Sequence, residues 1–306
     1  MAYLSSDLMA AVKRYSSVPT SQVTFQAADF YALGDDSIRA KIVPLVIKHM
    51  SEYYVKPYNY SIQNGVSAYA IPPRAINSML RSVQLVGMAD PDSRVNLQQL
   101  AIEDLYAGLA GSTGILVKKS GFYIEGNNIV LYPTPVSTAL NTLRLNYFIR
   151  PNQLVDPTAC ALIQSVNTGA NTITCASVPS TWSTANILDF VKAQPGFDCM
   201  AIDQAITNIA GGVITFSSTL PTTISAGDYV CLAGQSCVVQ VPVELQPLLT
   251  QYVVVRVLAA QGDQNGLKSA LAELEALEKN ASLLLAPRVQ GSVRRIVNSR
   301  SIARLV

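Results

Sequence analysis

The chain is poor in the residues that most chemistry needs. It has one histidine, His49, and one tryptophan, Trp182, in 306 residues. A His general base therefore has a single candidate. His49 falls on a predicted helix with no Ser or Cys nucleophile motif beside it, so it reads as an ordinary helix residue. Charged residues make up 14% of the chain, against about 25% in a typical soluble domain. Hydrophobic residues reach 49%. That balance excludes intrinsic disorder, which needs high charge and low hydrophobicity. It also predicts oligomerisation, because exposed apolar surface invites association. The five cysteines, Cys160, Cys175, Cys199, Cys231 and Cys237, are widely spaced and form no C-x-x-C pair. A zinc site built on short ligand spacing is not expected. Reduced, buried thiols are, and no cofactor is expected. The N-terminus lacks the apolar core of a signal peptide. Gln251 and Arg256 interrupt the longest apolar stretch, Leu248 to Ala260, so neither a membrane span nor a membrane partner is expected.

Motifs that suggest catalysis fail on spacing. Gly108, Gly111 and Gly114 precede Lys118 and Lys119, but Ile115-Leu116-Val117 intervenes. A phosphate loop needs its Lys directly after the last Gly. The acidic pairs Asp35-Asp36, Asp90/Asp92 and Glu103-Asp104 lie in turns or on polar helix faces, where solvated capping charge explains them. The sequence predicts a protein that is not an enzyme, and a cell-wall hydrolase is disfavoured for the same lack of residues.

What is present is structural. At roughly 150 residues per domain the length suggests about two domains. Residues 4–16 read as an amphipathic helix capped by Ser5 or Ser6, with Lys13 and Arg14 at its C-terminal end. Thr24 is placed to cap a second helix, broken at Gly34-Asp35-Asp36. A third runs to about Tyr53, kinked at Pro44. Residues 58–70 are aromatic and polar. Strands are expected at 79–86 and 143–149, a hairpin at 121–133 around Gly126-Asn127-Asn128, and a helix at 96–106. From 151 to about 240 the chain is rich in Thr, Ser, Gly and Asn, with six short runs at strand spacing: 161–166, 172–176, 187–191, 200–202, 213–216 and 228–232. These argue for a small β-sandwich or barrel. Helix returns with Pro242 in a first turn. A second helix follows at 267–285, with Leu267, Leu271, Leu274 and Ala281 on one stripe. The two helices form an antiparallel hairpin.

The fold class is therefore α+β: a helical core of N-terminal helices and a C-terminal helical hairpin, with β-hairpins and an inserted small β-sandwich or barrel. The expected division is a discontinuous, mainly helical core at 1–152 and 241–287, an inserted β domain at 153–240, and an arm at 288–306. That arm is the strongest anomaly. The net charge is +2, but the last nineteen residues hold five Arg and no acid. The rest carries 17 basic and 20 acidic residues, a net of −3. Arg288, Arg294, Arg295, Arg300 and Arg304 alternate with Val289, Val293, Ile296, Val297, Ile302 and Leu305. A free tail is rarely so apolar. The pattern suits an extended arm docking on another chain through apolar anchors and Arg forks.

Several segments resemble the head-to-tail adaptor (neck ring) proteins of tailed bacteriophages, of the crAss-like type. They are TSQVTFQAADFYALGDDSIRAKIVPLVIKHMSEYYV, SAYAIPPRAINSMLRSVQLV, IVLYPTP with LRLNYFIRPNQLV, GDYVCLAGQSCVVQVPVELQPLLTQYVVVRVLAAQGD and APRVQGSVRRIVNSRS. The resemblance is weakest over 153–226. It implies a structural virion protein forming a homo-oligomeric ring, commonly a dodecamer, between the portal protein and the next neck or tail ring. The ring extends the channel for genomic DNA, which passes without sequence-specific contact. The protein would sit in the neck of the virion after assembly in the host bacterial cytoplasm. Residues 288–306 would dock on the portal or a neighbouring subunit, and Lys118 and Lys119 would line the channel. The competing reading is a virion binding module, with the β block holding a receptor or glycan; the scarcity of aromatics there, Trp182 and Phe190 being the main ones, and of acidic clusters counts against it.

Overall fold

The first helix, α1 (Ser5–Tyr15), is started by a carboxylate. Asp7 Oδ2 accepts the Leu4 N–H at 2.9 Å, which satisfies one free donor of the first turn. Ser5, an expected cap, is buried instead and donates its hydroxyl to the Val155 carbonyl at 2.6 Å. In this computed structural model the described residues are 2–19, 25–87, 94–101, 120–136, 141–194 and 196–285. Thr24 lies outside them. The second helix, α2 (Ala27–Ser37), is capped by Asp29, which accepts the Gln26 N–H at 2.7 Å.

The expected break at Gly34-Asp35-Asp36 does not occur. Gly34 stays helical because α2 crosses close to its neighbours: a Cβ there would meet Leu8 and Leu154 at 3.2 Å. Nor is Asp35 a solvated charge. It is buried and accepts the Leu154 N–H at 2.9 Å. Only Asp36 reaches solvent, facing Arg256 at 3.4 Å. After Ser37 the helix widens to a π-turn at Ile38–Ile42 and returns as α3 (Val43–His49). Pro44 lies in the first turn of α3. A proline ring has no N–H and crowds the carbonyl four residues back, and the wide turn absorbs both.

Helix α4 (Gln246–Gln261) is the centre of the helical layer. Its first turn holds Pro247, while Pro242 opens a separate 3-10 turn at Val243–Leu245, contrary to the expected helix start. Leu248, Leu249, Val253, Val254, Val257 and Leu258 are buried around it. It is apolar on most sides because α1 and α2 cover one side and α5 (Gln264–Leu284) another. Gly262, at φ 75°, turns the hairpin, and Asp263 caps α5 through the Gly266 N–H at 3.0 Å. Gln251 Nε2 donates to the Ala270 carbonyl across the pair at 2.8 Å. On α5, Ala270 and Ala281 are buried and Leu267, Leu274 and Leu277 pack beside them. Leu271 is exposed, so the packed stripe differs from the expected one by that residue.

Strands fill the next stretch. β1 (Val55–Ser61), β3 (Ala75–Gly87), β4 (Arg94–Asn96) and β7 (Asn141–Ile149) form an antiparallel sheet in the order β1-β7-β3-β4. β2 (Ala68–Ala70) joins β6 (Asn128–Tyr132) and β5 (Gly121–Glu125) in a second, three-stranded sheet. The expected hairpin is β5–β6, turned by Gly126 at φ 58° and Asn127. The two sheets share a core of Val83, Phe122, Ile129, Leu131, Leu143, Leu145 and Tyr147. Residues 96–101 are not helical. Asn96 ends β4, and the extended segment after it pairs with neighbouring strands: Leu97 N–H bonds the Val83 carbonyl and Phe122 N–H the Gln98 carbonyl. Gly121 permits that approach, since a Cβ there would lie 2.2 Å from the Gln98 carbonyl oxygen. The remainder of the expected helix, 102–106, lies outside the described residues.

The six short runs form a closed antiparallel barrel, in the order β10-β13-β12-β11-β14-β9. The strands are β9 (Ala161–Asn167), β10 (Thr172–Cys175), β11 (Ile187–Val191), β12 (Cys199–Ala210), β13 (Val213–Phe216) and β14 (Tyr229–Leu232). Ile163, Ile173, Leu188, Phe190, Ile214, Phe216 and Val230 fill its core. Two flanking strands, β8 (Gln153–Leu154) and β15 (Gln235–Ser236), pair in parallel, so the chain comes into and leaves the barrel side by side.

Candidate functional site

The arm residues Arg288, Val289, Val293, Arg294, Arg295, Ile296, Val297, Arg300, Ile302, Arg304 and Leu305 lie outside the described residues, as do Lys118 and Lys119. The described chain ends beside a small apolar surface. Leu283 and Leu284 at the end of α5 are 74% and 58% exposed, while Leu285 is buried.

The most organised polar site fastens the barrel to the sheet. Along β11, Leu188 and Phe190 point into the barrel, so the intervening Asp189 points out of it. There it is fully buried. Arg74, from the turn before β3, places Nη1 between both carboxylate oxygens, at 2.8 and 3.0 Å. Asn152, between β7 and β8, bonds both groups: its Oδ1 accepts from Arg74 Nη2, and its Nδ2 donates to Asp189 at 3.1 Å. The backbone N–H groups of Asp203 and Gly234 complete the shell of Asp189, each at 2.9 Å. The first exists because β12 is irregular here, with Asp203 at φ 55°. Burial opposes the charge on Arg74, but the carboxylates of Asp189 and Asp203 outweigh it and hold the guanidinium firmly protonated. A buried ion pair with this many hydrogen bonds fixes geometry. Its central carboxylate is sealed from solvent, while Asp203, 3.5 Å from Arg74 Nη1, stays half-exposed at the rim. The sequence signal was a lone Asp inside the apolar run Ile-Leu-Asp-Phe-Val, and a carboxylate in such a strand calls for a buried partner.

A second contact between barrel and body lies in a cleft of about 360 Å³. The end of α3, the β11–β12 connection and the turn before α4 line it, with Met50, Tyr53, Phe197, Asp198 and Glu244 among the residues. Tyr53 Oη accepts the Phe197 N–H at 2.7 Å, and burial pushes its hydroxyl pKa up to about 12. The Tyr54 and Phe197 rings meet edge to face at 5.1 Å. Lys56 bonds the Cys199 carbonyl at 2.8 Å and lies over the Phe197 ring. These contacts pin the loop to the body, and His49 ends α3 nearby in sequence without entering the lining.

Three of the five cysteines converge. The Sγ atoms of Cys160, Cys231 and Cys237 lie within 4.8 Å of one another, and all three side chains are buried. They come from the residue before β9, from β14 and from the residue after β15, among Leu4, Val155, Val191, Tyr229 and Val238. Their linear spacing concealed this. The antiparallel pairing of β14 with β9, Tyr229 opposite Leu162, brings positions 70 residues apart together. Cys160, facing the Cys231 and Cys237 thiols, has its pKa pulled down, whereas burial pushes that of Cys231 up.

The sequence profile of the SU10 adaptor protein family matches residues 3–193. The chain belongs to this family. Its members are phage adaptors with a structural role. No curated protein matches the chain. The matched span runs from α1 past β11 and so takes in α1 to α3, both sheets and half of the barrel strands, together with Arg74, Asn152 and Asp189. Among the described residues no helix is long and apolar enough to cross a membrane.

Proposed function

We propose that the chain is a head-to-tail adaptor of the crAss-like phage type, acting by assembly and without catalysis. It forms a homo-oligomeric ring, a dodecamer in the arrangement usual for such adaptors, between the portal protein and the next neck or tail ring. Its channel carries genomic DNA without sequence readout, and Lys118 and Lys119 belong to the channel wall. The protein resides in the virion neck after assembly in the host bacterial cytoplasm. Residues 1–152 and 241–287 act as the ring body, 153–240 as an inserted unit, and 288–306 as the docking arm. The family match over 3–193 carries this reading. The parallel pairing of β8 with β15 supports the insertion, because both connections leave from one place. The exposed Leu283 and Leu284 at the root of the arm supply apolar surface for a neighbouring chain.

The binding-module reading gains no aromatic surface from the barrel. Trp182 and Phe190 are buried in the barrel core rather than displayed for a glycan. The arm gives the direct test. Deleting Arg288–Val306 should leave the melting temperature unchanged and abolish co-purification with the portal. Normal attachment of the truncated chain would contradict the docking role.

A further inference from the structure

We infer that Cys160, Cys231 and Cys237 form a three-coordinate site for a soft monovalent cation of the copper(I) type. Three thiolates around one ion with bonds of about 2.3 Å place their sulfurs about 4.0 Å apart. The three Sγ atoms already lie within 4.8 Å of each other, so closing on an ion takes less than an ångström of movement. The donor set is all sulfur. Among the described residues no His or carboxylate joins the group. Four-coordinate zinc needs a fourth ligand or a water, whereas all three thiols are buried and the hydrophobic side chains packed with them are Leu4, Val155, Val191, Tyr229 and Val238, with Asp156 the acid that acts on Cys160. A soft, all-sulfur, buried three-ligand site selects copper(I) over zinc. Binding displaces thiol protons to solvent as copper–sulfur bonds form, with no change of oxidation state.

The position gives such an ion a structural role. Cys160 precedes the first barrel strand, Cys231 lies in the strand that pairs with it, and Cys237 follows β15. Cys237 also anchors the N-terminal helix, since its carbonyl accepts the Ser5 N–H at 2.8 Å. One ion at this point would tie the two ends of the barrel segment to α1. The other two thiols are elsewhere: Cys175 is in the barrel core, and the Cys199 carbonyl is bound by Lys56 on the body side. They serve as internal controls.

The test uses the full chain, reduced and handled without oxygen. Copper(I) is added in competition with a copper(I)-specific chelator, with zinc in a parallel arm, and stoichiometry is read by native mass spectrometry. The expected result is one copper(I) per chain, a raised melting temperature, and three sulfur neighbours around copper by X-ray absorption. Cys160→Ser and Cys237→Ser should each lower the affinity at least tenfold, while Cys175→Ser and Cys199→Ser should leave it unchanged. The X-ray absorption needs no variant, so the proposal stays testable if a substitution impairs folding. Failure to retain copper(I), preference for zinc, a sulfur count other than three, or a disulfide among these cysteines in the unreduced chain would each overturn it.

Discussion

Asp189 shows what one residue does in this chain. It is fully buried and holds Arg74, Asn152 and two backbone N–H groups at once. Removing the carboxylate leaves a largely buried guanidinium without its main partner. Breaking such a pair from one side costs about 3–5 kcal/mol. Asp189→Ala should therefore lower stability to chemical denaturation by that amount, and a loss near the level of a surface substitution would contradict the geometry. Asp35 behaves differently. Burial raises its pKa to about 6, partly opposed by the Leu154 N–H. A raised carboxyl pKa means that the folded state prefers the proton. Its contribution is full below the unfolded value near 4 and is lost as pH rises to about 6. Asp35→Asn keeps an acceptor for Leu154 without a charge. It should be more stable than the parent at pH 7, by on the order of 2 kcal/mol, with the difference vanishing near pH 4. Denaturation across that range checks both sign and window. A difference that does not vary with pH would exclude Asp35 as its source.

Among the elements, those with local rules were legible. The β5–β6 turn follows from Gly126-Asn127, the α4–α5 hairpin from the short link at Gly262, and the barrel strands from their punctuation. Elements set by tertiary contact were not. Gly34 looks like a helix breaker, yet its missing side chain is what lets α2 pack against Leu8 and Leu154. Residues 96–101 carry helical spacing, but a β-ladder with Val83 and Phe122 claims their backbone groups. β1 was hidden because Pro57 disguises the alternation of Tyr58 and Tyr60. β12 runs well beyond the expected 200–202 because its irregularity at Asp203 breaks the visible pattern. The candidate site shows the same division. The residue types themselves, a lone Asp in an apolar strand and five cysteines, were readable in the sequence. Their partners were not, since Arg74 and Asp189 lie 115 positions apart and Cys160 lies 71 positions before Cys231.

At the scale of the whole molecule, the chain is held together at joints. The parallel β8–β15 pair, the Arg74–Asp189 network and the Tyr53–Phe197 contact each bind the barrel to the body. α1 is stitched to the same region through Ser5, Val155 and Cys237. Several independent fastenings would suit the proposed ring subunit, which has to keep one shape under load. In the proposed ring each contact would bury on the order of 1,000 Å² or more, and a chain with only 14% charged residues has apolar surface to offer for it. The central claim is assembly between portal and tail, and electron microscopy tests it most directly. The purified full chain is imaged alone and after mixing with the portal protein of the same phage. The account predicts closed rings, or a ring of added density at the narrow end of the portal. A chain that stays monomeric and leaves the portal bare would contradict it.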